Sequence, residues 1–206
     1  MFGALMRYSR CYSSLSRPEL FKEAMSSMGS QAMILTAPFR GETVVSQLHG
    51  MTISSVSSLC VLPDPLVQFN LQIPSITSAT LHDIPHFAIH IMPPTQKSVE
   101  IARSFSKGTQ TTKDDHGNVI HTRPFSLIPE HEWTSHRVDD ECSIPILRSA
   151  ERVLICSKCN VFEVLNHEIW VARVQEIIVH EEFPVKTGGL IYFNRRFHGV
   201  GGQLKE

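Results

Sequence analysis

Residues 50–77 read GMTISSVSSLCVLPDPLVQFNLQIPSIT. Hydroxyls crowd the first part, at Thr52, Ser54, Ser55, Ser57 and Ser58. A turn bracketed by Pro63 and Pro65 follows, and then an apolar run, Leu66 to Leu71, that reads as a strand. A second hydroxyl pair, Ser75 and Thr77, closes the stretch. Two donor clusters flanking one strand suit a flat, anionic ligand, with hydroxyls for a phosphate at one end and an apolar wall for a ring system at the other. Loop serines also commonly satisfy their own backbone, and on physical grounds alone that is the commoner outcome.

Outward from this stretch the chain is rich in strands. Ala32 to Ala37 and Thr43 to Leu48 read as two strands joined through Arg40-Gly41, and His86 to Met92 as another. Arg152 to Val164 and Glu168 to His180 form two β-rich runs around a tight Leu165-Asn166-His167 turn. Ser16-Arg-Pro-Glu19 is a capping-box pattern, and Leu20, Phe21, Ala24, Met25 and Met28 recur at helical spacing. This predicts a helix over 17–28 that ends at Gly29, with its methionines as core filler. Ser75 caps a short helix to Asp83, and Pro93-Pro94 starts a second over Thr95 to Phe105. Many strands, few helices and no strand–helix alternation argue against a doubly wound sheet and for an antiparallel barrel with flanking helices. Residues 107–143 are polar and show no period, which predicts a variable insertion acting as a lid or loop.

The 206 residues fit one domain able to bury a core without disulfides. A net charge of −1 gives no basis for a nucleic-acid surface. No apolar run approaches the roughly 20 residues of a membrane-spanning helix. The five cysteines are odd in number and scattered, which points to a reducing compartment. Residues 1–17 carry Arg7, Arg10 and Arg17, several serines and no acid, the composition of a mitochondrial transit peptide. The mature domain is then expected over 18–206, with Arg10-Cys11-Tyr12 resembling a matrix-protease cleavage site.

Several segments together resemble the flavin reductase-like family, the FMN-binding Greek-key split barrels, in its fungal-type mitochondrial form. They are Gly50-Met-Thr52 with its serines, Pro63-Asp-Pro-Leu-Val67, Phe69-Asn70 and Pro74-Ser-Ile-Thr77. The His86–Met92 strand, the helix QKSVEIARSF (Gln96 to Phe105), the Ile144–Leu147 entry to a cysteine-bearing strand, and Leu190-Ile-Tyr192 with Arg195 and Phe197 continue the match. The resemblance implies a mainly β (α+β) fold and a homodimer with flavin at its interface. It implies a cofactor site from Met51, Thr52, Ile53, Ser54, Ser55, Asn70, Ser75, Thr77, Gln96 and Phe105. It also implies NADH or NADPH as hydride donor, stacked over the flavin without a Rossmann unit. Indeed no strand–GxGxxG–helix unit occurs, and Gly199-Val-Gly-Gly202 reads as a flexible tail.

Two departures stand out. The family commonly places Arg between the Ser and Thr of the second cluster, where this chain has Ile76; Lys97, Arg103 and Arg195 are the candidate replacements. The family's G-D-H turn, whose His contacts nicotinamide, is here Leu165-Asn166-His167. His167 is therefore the catalytic candidate, beside the plainer reading of an exposed turn histidine. Cys156-Ser-Lys-Cys159 lacks the second knuckle of a zinc site, and strand spacing puts the two thiols on opposite faces; two buried thiols of a core strand are expected. His116, His121, His131 and His136 have no helical frame or companion cysteine and read as a solvated loop. Expected function is an FMN-dependent oxidoreductase, passing electrons on to oxygen, an oxygenase or another acceptor. The alternatives are a flavin-binding carrier or assembly module and, remotely, a metal-dependent hydrolase.

Overall fold

The computed structural model describes residues 15–41, 44–108, 110–113, 119–183 and 185–202. The expected cleavage site and most of the transit segment lie outside them, as does His116. Seven strands build the main sheet: β1 (Met33–Thr36), β2 (Gly50–Ile53), β3 (Ser57–Cys60), β4 (Leu66–Gln72), β5 (His86–Ile91), β6 (Arg152–Val164) and β7 (His167–Val179). They run in the order β2-β1-β5-β6-β7-β4-β3, every neighbouring pair antiparallel. The two edge strands, β2 and β3, do not pair with each other, so hydrogen bonds close no barrel.

Alternation along the central strands sends successive side chains to two separate cores. Met33 and Leu35 of β1 enter one cluster, Ile34 the other. The inner cluster collects Ile53 from β2, Phe69 and Leu71 from β4, Phe87 from β5 and Trp170 from β7. Residues from strands near opposite ends of the order meet there, so the sheet is curled around them. Phe69 stacks on Trp170 with ring centroids 6.1 Å apart and meets Phe87 edge-on at 5.4 Å. The outer cluster packs helix α3 (Gln96–Ser106) against Ile34, Ala88, Val153 and Ile155.

Gly50 shows why this sequence starts β2 where it does. A Cβ there would lie 2.7 Å from both the Leu35 carbonyl oxygen and Phe105 Cε1. Phe105 itself is fully buried, so its ring fills the space a side chain at 50 would need. Gly50→Ala should cost about 2 kcal/mol through overpacking, read as a lower urea midpoint at unchanged slope. An unchanged midpoint would mean that α3 yields without cost.

Five expectations are corrected. Of the expected 43–48 strand, the described residues 44–48 form no strand: a single 3₁₀ turn, Val45–Gln47, lies there, and Val45 and Leu48 face the core three residues apart. Helix α1 (Arg17–Ser26) has its capping box, with the Ser16 N–H donating to Glu19 at 2.7 Å. It buries no residue, however, and its methionines are not core: Met28 is 60% exposed and Phe21 65%. No described element lies over that apolar face.

The 107–143 insertion is not structureless. A ribbon pairs Gln110–Lys113 with Val119–Thr122, and Trp133–Arg137 pairs with Cys142–Leu147, which in turn pairs with Phe39–Arg40. Phe125 and Trp133 anchor the segment to Phe105, with centroids 5.1 Å (Phe105–Phe125) and 5.6 Å (Phe125–Trp133) apart. Of the two thiols in the strand, Cys156 is buried and Cys159 exposed; one register shift falls just before Cys156 and a second spans Cys159, so the strand is irregular there. Burial, and then the neighbouring Cys159, push the Cys156 thiol up to about 12, so it stays protonated. The C-terminal glycines are not a free tail either, since the Val200 side chain lies where a Gly188 side chain would project.

Candidate active site

Helix α2 (Ile76–Asp83) and helix α3 come together on either side of β2, and each brings polar groups to a groove. Ser75 forms the N-cap of α2: its Oγ accepts the Ser78 N–H at 3.3 Å. This leaves the first backbone N–H groups of α2 as unspent donors beside the Ser75 and Thr77 hydroxyls. Thr77 is only 6% exposed, and its hydroxyl has no hydrogen-bond partner among the described residues. The groove they line holds about 460 Å³ and is completed by Met51, Gln72, Pro74, Ile76, Lys107 and Gly108.

A second cleft, of about 330 Å³, is bordered by Thr52, Ile53 and Ser54. Facing them are Arg103 and Ser106 of α3 and Tyr192, Arg195 and Phe197 of a C-terminal hairpin. Tyr192 and Phe197 are cross-strand partners with centroids 5.3 Å apart, so they form one aromatic wall. Arg195 sits in the hairpin turn at φ 62, a left-handed conformation that costs a side-chain-bearing residue about 1 kcal/mol. Such cost recurs where a turn aims a functional group.

The expected hydroxyls divide. The Thr52 hydroxyl donates to the Ala102 carbonyl at 2.6 Å and so ties β2 to α3. Ser55 Oγ accepts the Asn70 N–H at 2.8 Å, stitching the chain after β2 onto β4. Both are spent on backbone, the outcome that loop serines generally favour. Ser54, Ser75 and Thr77 remain available. Met51 and Ile53 line different grooves, and the Asn70 side chain is exposed on β4, outside both. Phe105 lines neither, being core. Gln96 lies at the far end of α3, about 15 Å along the helix from Ser106, and bonds Glu100 at 3.1 Å.

His167 opens β7 directly opposite Gln72 of β4, which borders the larger groove. Its Nδ1–H donates to Asn166 Oδ1 at 3.0 Å, which leaves Nε2 free. Among the proposed replacements for the cation missing at 76, Lys97 is held by Glu132 at 2.7 Å and lines neither groove. Arg103 and Arg195 both reach the smaller cleft. Sequence reasoning passed over Lys107, whose polar neighbours made it look like the start of a loop.

It also passed over Glu168. This carboxylate is buried, accepts the Ser78 hydroxyl in a short hydrogen bond, and takes the His82 Nε2–H at 2.8 Å and the Trp170 Nε1–H at 3.0 Å. Burial opposes its charge, but the bonds from Ser78, His82 and Trp170 outweigh burial and hold the carboxyl below its ordinary value. Glu168 therefore pins α2, whose N-terminus forms the groove, to β7. The available signal was parity: Glu168 shares the inward face of its strand with Trp170.

His90, fully buried in β5, donates from Nδ1 to the Ile34 carbonyl at 2.9 Å and accepts the Leu147 N–H on Nε2 at 3.1 Å. Burial drives its pKa down to about 4, and the ring stays neutral. His49, next to Gly50, accepts Arg123 Nη1–H at 2.7 Å; burial and then that guanidinium also lower it to about 4. No cluster of histidine, cysteine, aspartate and glutamate suited to a metal ion occurs among the described residues.

Solved structures share this fold. A flavin reductase domain protein from Arthrobacter superposes with a TM-score of 0.66 at 21% identity, covering 91% of this chain and 98% of the other. The NADH:FAD oxidoreductase of Streptomyces globisporus, solved with NAD and FAD fragments, gives 0.67 at 20% identity, over 92% and 96% of the two chains. The styrene monooxygenase flavin reductase of Pseudomonas putida gives 0.62 at 22%, over 89% and 99%. The sequence profile of the flavin reductase like domain matches residues 25–201, from the end of α1 to the chain's last described residues. The chain belongs to the flavin reductase like domain family.

Proposed function

We propose that this protein is an FMN-binding oxidoreductase that takes hydride from NADH or NADPH. The observation that carries the reading is the larger groove, where the α2 N-terminus, the Ser75 hydroxyl and the unpartnered hydroxyl of the largely buried Thr77 converge beside Met51. A helix N-terminus with spare hydroxyls is chemistry that fits a phosphate. When bound, flavin supplies the hydride acceptance and onward electron transfer that no side chain here provides.

The chain's own residues bind and orient. Ser75 and Thr77 hold the anionic end. Met51 contributes an apolar wall on the same side of β2. Tyr192 and Phe197 give the smaller cleft a stacking surface, and Arg103 and Arg195 supply positive charge for a second anionic ligand such as the nicotinamide nucleotide. His167 stands at the rim, with Nε2 free to accept a hydrogen bond from the nicotinamide amide. We place the active form as a homodimer in the mitochondrial matrix, with an oxygenase or other acceptor downstream.

The second reading, a flavin-binding module with little reductase activity, is favoured by one feature: Asn166 engages His167 where the family has a G-D-H turn. The visible spectrum of the purified protein with FMN, taken without oxygen before and after NADH or NADPH, separates the two. Rapid bleaching is the expected result. Flavin that binds and stays yellow with both nucleotides moves the protein to the second reading, and no bound flavin overturns both.

A further inference from the structure

The groove at the start of α2 lacks the local cation its family commonly carries, since Ile76 stands there half-exposed between Ser75 and Thr77. The fold supplies a cation from elsewhere. Lys107 caps the C-terminus of α3 and borders the same groove as Pro74, Ser75, Ile76 and Thr77. Gly108, at φ 61, turns the chain immediately after it. Lys107 is exposed and has no ion-pair partner among the described residues. The other positive side chains considered for the role are committed or placed across β2: Lys97 to Glu132, and Arg103 and Arg195 to the smaller cleft.

Charge makes the position matter. The C-terminal carbonyls of α3 carry the negative end of that helix and border a groove whose opposite wall is the positive end of α2. An anion seated between them is attracted by one helix and repelled by the other. A lysine at the α3 cap offsets the repulsion and adds a charge-assisted donor.

We propose that Lys107 is the phosphate-binding cation of this groove and makes the protein selective for a flavin that ends in a phosphomonoester. The inference rests on the flavin reading above. Two flavins that differ only in that group, FMN and riboflavin, test it.

The full chain, Lys107→Gln, Lys107→Arg and the surface control Lys22→Gln are titrated with each flavin at low and high salt, following flavin fluorescence. Wild type should bind FMN more tightly than riboflavin. Lys107→Gln should lose about tenfold in FMN affinity at low salt, with riboflavin unchanged and the loss shrinking as salt rises. Lys107→Arg and Lys22→Gln should keep the FMN preference. Equal losses for both flavins, or an unchanged FMN affinity in Lys107→Gln, overturn the proposal. Wild type that binds the two flavins equally well overturns it too, and leaves the flavin reading standing. Wild type that binds neither removes both.

Discussion

Replacing His90 with Leu should lower the stability of the fold by about 3 kcal/mol, because the Leu147 N–H and the Ile34 carbonyl both lose a buried partner. The ring bridges three elements: it sits on β5, bonds β1, and receives a donor from the Cys142–Leu147 strand. His90→Gln, which has both a donor and an acceptor, should recover part of the loss. Urea melts with a shared slope measure this; a shift under 1 kcal/mol for His90→Leu would mean that other groups satisfy the orphaned atoms. A pH signature accompanies it. The folded ring titrates near 4, below the 6.5 of a free histidine. Its contribution is therefore complete above about 6.5 and falls away as the pH drops toward 4. His49, also lowered to about 4, adds to the same acid sensitivity. Wild type should lose stability over that window, and His90→Leu should show a shallower slope.

Glu168→Ala is expected to have a comparable cost, again about 3 kcal/mol, from the stranded Ser78 hydroxyl and Trp170 indole N–H. His82, with a side chain 44% exposed, recovers water, so His82→Ala alone should cost less than about 1 kcal/mol. The carboxyl titrates below its ordinary value, so its contribution is present above the free glutamate range and is lost as pH falls through the lowered value. Because α2 is docked through this carboxylate, the variant should also weaken FMN binding even where it is still folded. Thermal melts with flavin titration at low temperature check both halves. Full FMN affinity in a destabilised Glu168→Ala would separate the anchor from the groove.

Much of the sheet was legible because its signals are local. The apolar run Leu66 to Leu71 lies wholly in β4, which continues one residue further to Gln72, and the paired runs around Leu165-Asn166 form the β6–β7 hairpin. Caps at Ser16 and Ser75 start the helices expected of them, and Thr95, read as the first residue of the third helix, is its N-cap. The misreadings share a cause, since each depended on what a segment meets in space. Helix α1 has the periodicity of a buried helix and no described partner for its apolar face. Thr52 and Ser55 have the composition of a donor cluster and spend their bonds on Ala102 and Asn70. Phe105 belongs to a motif that borders the site, but it serves by backing Gly50. Conversely, Lys107 and Glu168 carry no sequence mark of importance; only folding brings one to Thr77 and the other to Ser78.

One turn of α3 places Arg103 and Ser106 on the smaller cleft and Lys107 on the larger groove. The same few residues thus read the occupancy of two compartments on either side of β2. If seating a ligand in one compartment draws that turn by even a fraction of an ångström, the other is reshaped with it. The resulting cooperativity is reciprocal by thermodynamic necessity: the factor by which one ligand alters the affinity of the second equals the factor in the reverse direction.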